Sequence, residues 1–125
     1  MVDDSNVIHE ALNSDDAWLA VPEIMDLTGD SLATVKTWLQ ERDVVGIRRG
    51  NNNALRVPKL FVTPEGPLKF LRGTITRLTD SGYSDEEIID WLYRPDSTLL
   101  GGSAIASLCE GNKTEVRRRA QETAF

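Results

Sequence analysis

Ser31, Ala33, Thr34, Lys36, Thr37 and Gln40 stand within ten residues of one another and are all small, hydrogen-bonding or cationic. Set on one helix, such side chains can read the edges of base pairs. A glutamine amide pairs bidentately with adenine, and threonine or alanine methyls meet the methyl of thymine. Lys36, at the edge of such a face, reaches a phosphate. Ser31, beside the free N–H groups of a helix start, offers a second phosphate contact. A little further on, Arg48, Arg49 and Arg56 surround Asn51 and Asn52. Arginines on a projecting hairpin enter a minor groove or clamp its phosphates.

Charge is sorted along the chain in the same sense. Residues 1–30 contain eight carboxylates and no Lys or Arg, whereas residues 31–79 contain nine basic side chains against Glu41, Asp43 and Glu65. The chain as a whole carries a formal charge of −6. A net-acidic molecule repels a polyanion at long range, so the basic block needs a shaped surface that wins at short range. Glu41 falls on the polar side of the same helix and would oppose a phosphate there.

Other chemistry has little to work with. His9 and Cys109 are the single histidine and cysteine, far apart and without ligand-like spacing, so neither a metal site nor a catalytic residue is expected. His9 is expected in solvent and Cys109 as a small buried hydrophobe. Asp85-Glu86-Glu87 resembles the first turn of a helix. Gly101-Gly102 lacks the further glycines or the lysine of a phosphate loop, and no cofactor is expected. No apolar run is long enough to cross a membrane, and the start of the chain lacks the pattern of a secretory signal, so a cytoplasmic location is expected.

Several elements must position these residues. Pro22 suits the first turn of a helix whose apolar face is Ile24 and Leu27, and Gly29 can end it in the left-handed conformation. Asp30 or Ser31 then caps a second helix, on which Leu32, Val35 and Leu39 should face the first, leaving Ala33, Thr34, Thr37 and Gln40 outward. Trp38 is expected in or beside the core. Val44 to Arg49 and Ala54 to Val57 alternate like strands around Gly50-Asn51-Asn52-Asn53, which predicts a hairpin with Arg48 and Arg49 on opposite faces. A proline-punctuated connector follows. Leu68, Leu71, Ile75 and Leu78 predict a helix ending at Gly82, and Ser84 with Glu87 is a capping box for the next. Ile105 and Leu108 suggest a short helix, and Thr114 a cap for the last. Val7, Ile8, Ala11 and Leu12 allow at most a short amphipathic helix in an otherwise mobile start.

At these residues a resemblance emerges. Val21-Pro22-Glu23-Ile24 through Leu27-Thr28-Gly29, then Thr34-Val35-Lys36-Thr37-Trp38-Leu39, resembles the winged helix-turn-helix of MerR-like and excisionase-like regulators. Gly82-Tyr83-Ser84-Asp85-Glu86-Glu87-Ile88-Ile89-Asp90-Trp91-Leu92, then Pro95-Asp96 and Val116-Arg117-Arg118-Arg119-Ala120-Gln121, is similar to the C-terminal half of an actinobacterial family of winged-helix DNA-binding proteins. A mycobacterial member of that family is linked to a Ser/Thr protein kinase. The resemblance therefore implies such a kinase as a partner, with Thr34 and Thr37 as hydroxyls where a phosphate would oppose DNA. Trp91-Leu92 to Leu100-Gly101-Gly102-Ser103 also resembles the toxin-binding domain of Xre/MbcA/ParS antitoxins, whose N-terminal halves differ from this one.

The resulting expectation is a mainly α fold with a small β-hairpin wing. It comprises an acidic flexible leader (residues 1–16), a winged helix-turn-helix (17–62) and a helical module (63–125) packed on it or pairing two subunits. The expected function is non-enzymatic binding of double-stranded DNA, as a transcriptional regulator. The alternative is an antitoxin-like protein whose C-terminal helices engage a partner protein.

Overall fold

The computed structural model describes residues 12–123. His9 and most of the short helix expected near Val7 lie outside the described residues. A 3-10 turn, Asp15–Ala17, capped by a Ser14 side chain that accepts from the Asp16 N–H, precedes the first strand. β1 (Trp18–Ala20) leads directly into α1 (Val21–Thr28). Pro22 sits in the first turn of α1, and the Ala20 N–H is held by the Glu23 carboxylate at 2.8 Å. Gly29 ends α1 at φ 75°, as its position implies. Ser31 caps α2 (Leu32–Gln40), its Oγ accepting from the Thr34 N–H. The hairpin is β2 (Ile47–Arg49) and β3 (Ala54–Pro58).

β1 pairs antiparallel with β3 on the side away from β2, which makes a three-stranded sheet of order β1-β3-β2. Val44 and Val45 are buried ahead of β2 and are not part of it, so the strand starts later than alternation suggests. Gly46 explains the break. A Cβ there would stand 2.6 Å from the Arg56 carbonyl oxygen, so only glycine lets the chain pass β3 this closely. The connector contains a 3-10 turn, Lys59–Phe61, and a small pair of strands, β4 (Val62–Thr63) and β5 (Gly66–Pro67). Gly66 at φ 119° lies under the Trp38 ring, where a Cβ would be 3.5 Å from Cζ2.

Four α-helices follow among the described residues: α3 (Leu71–Asp80), α4 (Asp85–Tyr93), α5 (Ala104–Cys109) and α6 (Lys113–Thr123). The Ser84–Glu87 capping box of α4 forms in both directions. Leu68 lies before α3 and not on it. α6 starts at Lys113, which places Thr114 inside the helix and not at its cap. Cys109, expected as a small buried hydrophobe, is instead exposed at the C-terminal end of α5.

Leu12, Trp18, Ile24, Val35, Val57, Phe61, Leu71, Ile75, Leu78, Ile88, Leu92, Ile105, Leu108 and Val116 belong to one continuous buried cluster. The sheet, the helix pair and the four later helices thus share a core. Burial of each such side chain contributes about 1.5–3 kcal/mol. Leu12 belongs to that core and its carbonyl accepts from the Trp18 indole N–H at 2.9 Å. The packed chain therefore begins before residue 17, the edge expected for the winged part. Among the described residues no helix is long and apolar enough to cross a membrane.

Candidate nucleic-acid interface

The stripe of α2 that packs inward consists of Val35, fully buried, with Trp38 and Leu39 half-buried. Leu32, expected on that stripe, is 45% exposed. Trp38 is the reason. Seated over Gly66, it belongs to the stripe and turns the helix away from Leu32. At about 100° per residue the outward arc then runs Leu32, Lys36, Gln40, Ala33, Thr37. All five are exposed. Gln40 and Ala33 hold the middle of the arc, and Lys36 is well onto it rather than at the edge of the apolar face.

Thr34 is drawn to the side. It is half-buried, and its hydroxyl accepts from Ser31 Oγ at 3.1 Å. Ser31 is in turn occupied as the helix cap. Thr37 is exposed but donates to the Ala33 carbonyl at 3.0 Å, which leaves its oxygen lone pairs and its methyl outward. The arc therefore offers an amide, an ammonium group, a hydroxyl acceptor and two apolar surfaces.

The hairpin register pairs Ile47 with Arg56, Arg48 with Leu55 and Arg49 with Ala54. Arg49 and Arg56 consequently share one face, and Arg48 lies on the other. Arg48 is exposed and its guanidinium donates to the Asn53 carbonyl at 3.3 Å. Arg49 is engaged inside the molecule: its guanidinium lies 4.4 Å from the centroid of the Trp18 ring and donates to the Leu12 carbonyl at 3.4 Å. Arg56 Nε is buried without a hydrogen-bond partner among the described residues. Asp15, Trp18, Arg49, Gly50, Asn51, Asn52 and Arg56 surround a shallow depression at this face. At the tip the Asn53 N–H donates to the Gly50 carbonyl, and the Asn52 side-chain oxygen accepts from the Ala54 N–H. Asn51 and the Asn52 amide group point outward from an exposed turn.

Glu41 does not stand unopposed beside this surface. Arg72 of α3 lies 3.9 Å from Glu41 and 3.3 Å from Asp43. Arg42, at φ 62°, reaches Thr79 at 3.1 Å and Asp85 at 2.8 Å. The residues that end α2 are thereby tied to α3 and α4. Sequence reasoning missed Leu32 as a surface residue, Trp18 as the seat of Arg49 and Arg72 as the partner of Glu41. All three depend on contacts between distant parts of the chain.

Comparison with known proteins places this arrangement. Residues 68–124 match the family model described as the Rv2175c C-terminal domain of unknown function. The protein named DNA-binding protein Rv2175c, from Mycobacterium tuberculosis, is 30% identical over 128 aligned positions, covering 93% of this chain and 86% of the relative. The NMR structure of Rv2175c superposes with a TM-score of 0.79 at 29% identity, covering 94% of this chain and 87% of the other. The chain belongs to the family of the DNA-binding protein Rv2175c.

Proposed function

We propose that the protein binds double-stranded DNA, with α2 in the major groove and the β2–β3 wing on the flanking backbone, and that it acts as a transcriptional regulator. The observation that carries this reading is the outward arc of α2, where Gln40, Ala33, Lys36 and Thr37 stand free of large aromatic side chains beside an arginine-bearing wing. The relative's name supports it. Gln40, Ala33 and Thr37 read base edges, while Lys36, Arg48 and Arg56 hold phosphates. Asn51 and Asn52 contact the backbone from the wing tip. Ser31 and Thr34 chiefly shape the helix start, and Arg49 positions the wing through Trp18. Residues 17–62 form the DNA-binding part and residues 63–125 the module that holds it.

A kinase acting on this chain would weaken binding most through Thr37, the exposed hydroxyl of the pair, by bringing about −1.5 to −2 charges to the arc. The antitoxin-like alternative draws less support, because the apolar sides of α3 to α6 face the common core. Selection from a pool of random duplexes with the full chain tests the reading. Enrichment of one short motif, reduced by Gln40→Ala, is expected; a pool that emerges unenriched excludes sequence reading.

A further inference from the structure

We propose that the exposed face of α3 is a second phosphate-contact surface, which extends the α2 and wing interface along the backbone of the same duplex; this rests on the DNA reading above. Arg72, Gly73, Thr76 and Arg77 line a hollow on this face, with Asp80 at its C-terminal end. The hollow is continuous with the end of α2, because Arg72 reaches Asp43 at 3.3 Å and Glu41 at 3.9 Å. Those contacts also neutralise the two carboxylates nearest the proposed path of the DNA. Arg77 is exposed and has no side-chain partner among the described residues. Lys69, also exposed, adds a third cation just before the helix. Arg72 is offset by Glu41 and Asp43, so Lys69 and Arg77 carry the positive charge of this face beside Asp80, and Arg77 can donate several N–H groups to a phosphate.

Gly73 is the second observation. It lies in the first turn of a ten-residue helix, where glycine is less favourable than alanine. Nothing in the fold requires it. Its φ is not positive, and a Cβ added there would meet nothing within 4 Å. A backbone left bare between two arginines instead lets a phosphate approach closely. Thr76, one turn from Arg72, supplies a hydroxyl on the same face.

The test is a salt titration of the full chain on a labelled random-sequence duplex, comparing wild type with Arg77→Gln, Gly73→Ala and Lys36→Gln. Arg77→Gln should lower the slope of log affinity against log salt by about 0.9, or roughly eightfold in affinity between 1 M and 0.1 M salt. Gly73→Ala should melt at a higher temperature than wild type and still bind the duplex more weakly, a combination that a purely structural glycine would not produce. If Lys36→Gln loses affinity while Arg77→Gln and Gly73→Ala bind as wild type does, α3 is not part of the interface and the α2 reading stands. A wild-type protein with no salt-sensitive binding overturns both.

Discussion

Arg48 and Arg49 are neighbours with opposite work, and the difference is measurable. Arg48 stands in solvent, so Arg48→Ala should leave thermal stability nearly unchanged and lower the salt slope of duplex binding by about one. Arg49 lies on the Trp18 ring and holds the Leu12 carbonyl. Arg49→Ala should therefore destabilise the fold by about 0.5–2 kcal/mol, read from chemical denaturation, with the smaller effect on the slope. At the far end of the chain, hydrogen bonds from Arg118, then Arg119, hold the Glu115 carboxyl well below its ordinary value, at about 2. A depressed carboxylate stabilises the fold above its unfolded value, and that contribution is lost as pH falls through the folded one. The melting-temperature difference between wild type and Glu115→Gln should thus be full near neutrality. It should shrink from the ordinary carboxylate range down to about pH 2.

Among the elements, the wing depends on one glycine. Gly46→Ala would drive a methyl group into the Arg56 carbonyl and part β2 from β3, at a cost of about 1–3 kcal/mol. Loss of duplex affinity together with a lower denaturation midpoint would show this; an unchanged midpoint would mean that the hairpin adjusts freely. The helix pair, the hairpin and the α4 capping box were legible in the sequence because each rests on local chemistry: Gly29, Ser31, the Gly-Asn turn, Ser84 with Glu87. The elements that were not legible have a long-range cause. Trp18–Ala20 becomes a strand only because β3 lies beside it, and nothing in a three-residue run announces that pairing. The turn of α2 was misjudged at Leu32 for the same reason, since the inward position of Trp38 is set by Gly66, a residue far along the chain. Five of the site residues expected on α2 keep their exposure or their place at its cap; Thr34 does not, because its hydroxyl is already paired.

The whole molecule behaves as one packed unit in this account. Ile75 and Leu71 of α3 lie in the same cluster as Val35 and Val57 of the winged part, and Arg42 bridges from the end of α2 to Thr79 and Asp85. Ile75→Ala should cost about 2–5 kcal/mol and unfold the two parts together in a single transition. Two separated transitions would show that the winged part stands alone. The central claim, that a net-acidic chain carries a shaped basic surface for DNA, is tested most directly by duplex affinity as a function of salt. With four to six phosphate contacts, log affinity should fall against log salt with a slope of roughly −4 to −5. A flat response would contradict the account, because no groove-reading helix and arginine wing can bind DNA without releasing its counterions.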